Sequence, residues 1–186
     1  MSKKILLLAS GSGSLAQSIF DSNIREKATI VGLISDKESF ALERARTQGV
    51  PDFYLPMHKD RDQWDREIFG LTESLQPHLV VSVGFMRILS PEYVSHFSVM
   101  NTHPALLPAF PGAHAVRDAL AAGACETGST VHWVDAGVDT GPVISQRKVR
   151  IEPGDTEESL HERIKIVERH LIVETISRWI DGELKQ

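Results

Sequence analysis

Short, continuous apolar runs alternate along the chain with stretches whose apolar positions recur every three to four residues. KKILLLAS (3–10), ATIVGLIS (28–35), PDFYLP (51–56), HLVVSVGF (78–85) and SVMNTH (98–103) read as strands. Their unbroken apolar character fits a sheet covered on both faces, where strands do not alternate with solvent. Between them, LAQSIFDS (15–22), KESFALERARTQG (37–49), DRDQWDREIFGLTESLQ (60–76) and SPEYVSHF (90–97) carry helical spacing. In the third of these, Trp64, Ile68, Leu71 and Leu75 form one stripe, read most simply as core. Gly49 is placed to end the second helix. The β-α-β-α-β order predicts an α/β fold: an open, mostly parallel, Rossmann-like sheet with helices on both faces.

Beyond Pro104 the texture changes. A Pro/Gly-rich loop (104–113) leads to a helix (115–122), then to GSTVHWV (128–134) and GPVISQRKVRI (141–151). These two are expected to be antiparallel additions to the sheet, and a long amphipathic helix (156–181) follows. The pattern predicts one domain over 1–186, without repeat or linker. Its phosphate-binding half would span about 1–100 and its catalytic half about 101–186.

Composition narrows the class. A chain of 186 residues with 41% hydrophobic and 24% charged residues is ordinary for a globular protein with one full core. The net charge of −5 argues against a general nucleic-acid or membrane surface. Any bound anion must be held by local groups. The lone cysteine, Cys125, excludes an internal disulfide and suits a reducing, cytoplasmic compartment. The five-residue apolar run Ile5–Ala9 is too short for a membrane span and breaks into Gly and Ser, so it reads as a buried first strand.

Chemistry is expected in the loops beyond the carboxyl ends of the strands, where open α/β sheets bind ligands. SGSGS (10–14) joins a strand to a helix, and glycines there let backbone N–H groups approach a phosphate. The run also fits G-x-G-x-x-A over Gly11–Ala16, with Asp36 downstream, so a nicotinamide-dependent oxidoreductase is a rival reading. In VMNTHPALLP (99–108), Asn101 and His103 share one side of a strand, and Pro104 keeps His103 extended. Both side chains then point into one crevice. DAGVDTGPVI (135–144) reads as a turn-rich loop. Its Asp139 is placed to orient His103 and favour the protonated ring, whereas Asp135 and Asp139 alike also suit plain turn capping. His103, His114 and His132 with Asp139 match no zinc spacing, so no metal is expected. A Ser12 or Ser14 hydrolase lacks the G-x-S-x-G elbow.

Taken together, GFMRILSPEYVSHF, NTHPALLPAFPGAHAVRDAL, GSTVHWVDAGVDTGPVI and GDTEESLHERI resemble the blocks of the folate-dependent glycinamide ribonucleotide formyltransferases. The likeness runs from the first strand to the final helix. The Asn-x-His motif with a downstream Asp is shared by formyl-folate enzymes generally, so a formyl-folate hydrolase or another formyltransferase of the same fold is the alternative. The SGSGS loop, FPGAH and the end after the long helix favour the purine enzyme. Two positions depart from the family: Leu15 stands where Asn is usual, and Ala105 where Ser is usual.

The resemblance implies transfer of a formyl group from 10-formyltetrahydrofolate, a co-substrate, to the amine of 5-phosphoribosylglycinamide, with these small molecules as partners. It implies catalysis by Asn101, His103 and Asp139. It places the ribonucleotide on Gly11, Ser12, Gly13, Ser14 and Leu15, and near Lys165, Ile166, Val167 and Glu168. The folate would meet Met86, Arg87, Ile88, Leu89 and Asn101, the loop Asp135, Ala136, Gly137, Val138 and Asp139, and Arg61, with Phe85 and Val94 nearby. A homodimer is compatible with this reading.

Overall fold

The computed structural model describes residues 2–184. Among those residues, seven strands form one sheet in the order β3-β2-β1-β4-β5-β6-β7. They are β1 (Lys3–Ala9), β2 (Ala28–Ser35), β3 (Asp52–Tyr54), β4 (Leu79–Ser82), β5 (Val99–His103), β6 (Glu126–Trp133) and β7 (Val143–Arg150). The first five pair in parallel, and β6 and β7 add antiparallel, as the pattern predicted.

Among the described residues, seven helices complete the fold: α1 (Ser14–Phe20), α2 (Ile24–Lys27), α3 (Phe40–Thr47), α4 (Arg61–Leu75), α5 (Pro91–His96), α6 (Ala115–Ala121) and α7 (Glu157–Ile180). The short α2 has no counterpart in the sequence reading. It ends where β2 begins, too brief to show a period. The second predicted helix also starts late, at Phe40, because Ser35 and Lys37 first make a local turn through the Ser35 hydroxyl.

Side-chain alternation in β1 sorts the two faces. Ile5, Leu7 and Ala9 meet Leu15, Ile19, Ala41, Leu171 and Ile176 from α1, α3 and α7. Leu6 and Leu8 meet Trp64, Ile68, Tyr93 and Val94 from α4 and α5. A bulge in β2 opposite Ile5/Leu6 shifts the register by one, so Ile30 and Leu33 share a face despite their odd separation. Capping fixes helix starts: the Asp60 carboxylate accepts from Gln63 N–H, and the Thr156 hydroxyl from Ser159 N–H. No helix among the described residues is long and apolar enough to cross a membrane.

The order places β1 between β2 and β4, so the chain's direction of travel reverses there. The crevice at such a switch point is the usual ligand site of an open α/β sheet. Here it lies between the loop after β1 (10–13) and the segment after β4 (83–90).

Candidate active site

The loop after β1 is shaped by close contact. Gly13 has φ +70°, and a Cβ there would lie 2.6 Å from the Ala41 Cα, so only glycine fits. Arg44 of α3 steadies the loop: its Nε donates to the Ser12 carbonyl (2.9 Å) and Nη1 to Gln17 Oε1 (3.2 Å). Nothing in the spacing had singled out Arg44. The first-turn N–H groups of α1 have no intrahelical partner and face the loop. Leu15 is buried in the core with α3 and α7. Its side chain serves packing, and that position offers a ligand only its backbone.

On β5, Asn101 and His103 do share a face, and the antiparallel register puts His132 opposite Asn101 and Thr130 opposite His103. The 135–141 loop folds back over that face and delivers Asp139. The Asp139 Oδ2 lies 3.3 Å from His103 Nδ1, and Oδ1 lies 3.5 Å from His132 Nε2. Gly112 N–H donates to the same carboxylate (2.8 Å). Burial pushes the Asp139 carboxyl up, but the His132 ring, the Gly112 N–H and the charges of both imidazoles outweigh it, holding the group below its ordinary value. Asp139 has φ +54°, a backbone conformation that a non-glycine residue keeps only where its surroundings enforce it.

Both ring nitrogens of the buried His103 face oxygen. Nδ1 looks at Asp139, and Nε2 lies 2.7 Å from the Phe110 carbonyl. A carbonyl only accepts, so Nε2 carries a hydrogen. The Nδ1 side of the ring faces the Asp139 carboxylate, which can only accept. His132 Nδ1 likewise donates to the Trp133 carbonyl (2.8 Å), and Asn101 Nδ2 stands 3.2 Å from His132 Nε2. The sequence reading had weighed His132 only as a metal ligand; it is a member of the cluster.

The rival readings are corrected by the same geometry. Asp36 does not present a free carboxylate to a nucleotide ribose. It is buried, with Ser10 Oγ on Oδ1 (2.5 Å) and Arg87 Nε on Oδ2 (2.6 Å). Neither Ser12 nor Ser14 bonds His103, whose nitrogens are taken as described. His114 is exposed at the start of α6. No group of three or more His, Cys, Asp or Glu is arranged to hold a metal among the described residues.

The other expected residues fall around this crevice. Met86 and Ile88 are exposed, while Leu89 is buried beside Phe85 and Val94. Arg61 bonds Asp65 (2.8 Å) and donates to the Ile88 carbonyl, tying α4 to the 86–89 segment. Arg87 is committed through Nε to Asp36, with a third of its side chain exposed. Asp135 caps the loop, accepting from Gly137 N–H (3.0 Å) and the Thr140 hydroxyl (2.7 Å); Ala136 and Val138 lie exposed between them. A mostly apolar cavity of about 630 Å³ is lined by Val94, Val134, Asp135 and Ala136 among others. It is of ligand size but touches neither Asn101 nor His103.

On α7, Lys165 pairs with Glu162 (2.8 Å). Ile166 is exposed, Val167 half-buried and Glu168 buried. Burial pushes the Glu168 carboxyl up to about 7, with Lys165 and Arg169 drawing it back only in part. Ala105 is fully buried, and its carbonyl accepts from the Thr130 hydroxyl (2.6 Å), so the small side chain suits its place.

Comparison with known proteins identifies the family. Residues 3–176 match the family described as formyl transferase. A phosphoribosylglycinamide formyltransferase of Mycobacterium tuberculosis is 49% identical over 94% of this chain and 83% of its own length. One from Escherichia coli is 40% identical, over 97% of this chain and 89% of its own. The crystal structure of glycinamide ribonucleotide transformylase 1 from Symbiobacterium toebii superposes with a TM-score of 0.94 at 36% identity, covering 100% of this chain and 91% of that one. A family match over residues 3–176, with relatives 40–49% identical over nearly the whole chain, means that the chain belongs to the formyl transferase family.

Proposed function

We propose that this chain transfers the formyl group of 10-formyltetrahydrofolate to the amine of 5-phosphoribosylglycinamide, giving formylglycinamide ribonucleotide and tetrahydrofolate. The observation that carries the reading is the convergence of Asn101 and His103, on one face of β5, with Asp139 from the loop that folds over that face. The names of the relatives support the choice of acceptor.

In this reaction the amine lone pair forms a bond to the formyl carbon, and the carbonyl pair becomes an oxyanion. The C–N10 bond then breaks, the folate nitrogen gains a proton and the new amide loses one. Asn101 donates its Nδ2 hydrogen to the oxyanion, once it turns from His132. His103, oriented by Asp139, supplies the proton to the departing nitrogen. Its Nε2 hydrogen rests on the Phe110 carbonyl, so substrate must take the place of that contact. Hydrogen-bond donors and a mobile proton cover the developing charge, and no metal is assigned.

The phosphate sits on the N–H groups of Gly11–Leu15, with Ser12 and Ser14 hydroxyls as further donors. Glu168, half ionised near neutrality, meets the ribose hydroxyls or the attacking amine, with Lys165–Val167 alongside. The folate ring lies between the Met86–Leu89 backbone and the 135–139 loop, its apolar edge toward Val94 and Phe85. Arg61 and the exposed part of Arg87 are placed for the carboxylates of the glutamate tail.

The test is incubation with both substrates, with the ribonucleotide product identified by mass. Formylated product that requires both substrates is expected. Formate release without the acceptor, or reduction of NAD in place of transfer, would overturn the assignment.

A further inference from the structure

Asp36 is buried at the end of β2, yet it belongs to neither substrate's expected contact set. Its two oxygens reach in different directions. Oδ1 accepts from Ser10 Oγ (2.5 Å), the residue that opens the glycine loop. Oδ2 accepts from Arg87 Nε (2.6 Å), within the segment assigned to folate. The Ser10 hydroxyl in turn accepts from Met86 N–H (2.8 Å), and Ser10 N–H donates to the Gly84 carbonyl (3.1 Å). The two ligand segments are therefore bolted to one carboxylate, which has no side-chain exposure to solvent.

Resting on the functional reading above, we infer that Asp36 is a positioning residue that couples the two substrate sites, through Ser10 to the glycine loop and through Arg87 to the folate segment. A ligand on either side restrains a strut that the other side also uses. The second ligand then meets a segment already ordered, and this is positive coupling without a large movement. Charge-assisted bonds shielded from water are the strong kind, which is what a strut requires. Asparagine at this position has one acceptor atom in place of two and no charge. It can keep Arg87 on Oδ1 only by turning Nδ2 to Ser10, whose hydroxyl must then accept in place of donating, and both charge-assisted bonds are lost.

The experiment is calorimetric titration of 5-phosphoribosylglycinamide, alone and with saturating tetrahydrofolate, into wild type and Asp36→Asn. Wild type should bind the ribonucleotide at least ~5-fold tighter when tetrahydrofolate is present, a typical coupling factor. In Asp36→Asn the factor should fall below about 2, with the far-UV circular dichroism unchanged. A wild-type factor of one overturns the coupling. So does an Asp36→Asn protein that weakens each ligand alone but keeps the factor, because that is a merely structural role. Should Asp36→Asn not fold, Ser10→Ala and Arg87→Ala each cut one arm. Either alone should abolish the factor and the double variant should lose no more; full additivity overturns the proposal. Failure of wild type to bind either ligand refutes the functional reading instead and is distinguishable from all of these.

Discussion

Replacing Glu168 with glutamine exposes a conflict between stability and function at this site. The glutamate sits in the apolar stripe of α7 formed by Leu160, Ile164, Leu171 and Ile172, and no hydrogen bond from the described residues offsets its burial. Its carboxyl is raised from 4.5 to about 7. Below the unfolded value both states are protonated and the group is neutral to stability. Between the two values the unfolded chain sheds its proton while the folded chain holds it, so stability falls as pH rises. Above about 7 the folded carboxylate is ionised too, and the full penalty is present. At about 1.4 kcal/mol per tenfold in proton affinity, this amounts to roughly 3 kcal/mol. Glu168→Gln keeps the shape and cannot ionise. It should match wild type near pH 4 and exceed it by up to ~3 kcal/mol at pH 8. In a chain of this size that is roughly 6–12 °C in Tm. The same variant should bind 5-phosphoribosylglycinamide at least ~10-fold more weakly, because a charged hydrogen-bond acceptor is lost. Urea unfolding across pH 4–8 and a binding titration read the two effects. A variant no more stable than wild type at pH 8 would refute the argument from burial.

Four further outcomes rest on the geometry of the site. Asp139→Asn removes the negative charge facing the His103 ring, so the alkaline limb of kcat should move to lower pH, read from kcat against pH. Because the Asp139 carboxyl is held below its ordinary value, its ionic contacts stabilise the fold above that value and are lost as pH falls through the lowered one. The gap in stability between wild type and Asp139→Asn should thus close on acidification, as unfolding at pH 2–6 would show. Arg44→Ala frees the Ser12 carbonyl and should raise KM for the ribonucleotide about 10-fold, with kcat and the folate KM little changed, by steady-state kinetics. Turnover should persist in excess chelator, and activity lost to it and restored by zinc would contradict the metal-free assignment.

The parts of the fold set by local pattern were legible in the chain. β2 runs over 28–35 as its apolar run predicts, and α4 over 61–75 within the predicted 60–76. The shared face of Asn101 and His103 follows from strand alternation alone. What depends on register was not legible. His132 joins the cluster because β6 pairs antiparallel with Asn101 opposite it, and no spacing reveals which residue will stand across a strand. The polar histidine inside TVHWV was the one available signal. Asp36 fitted a ribose-binding pattern, but its partners Ser10 and Arg87 lie 26 and 51 residues away and claim both oxygens. Lys165 and Glu168 stand three apart on α7, yet Lys165 pairs with the exposed Glu162 and Glu168 is buried.

The central claim is that Asn101 and His103 act on charge that develops during formyl transfer. Rapid-quench measurement of the chemical step, with both substrates bound, tests it most directly in Asn101→Ala and His103→Ala. Loss of one such donor is typically worth 10²–10³ in rate. Each variant should therefore react at least ~100-fold more slowly than wild type while binding both substrates within a few-fold. A single-turnover rate near that of wild type in either variant would remove that residue from the chemistry and contradict the account.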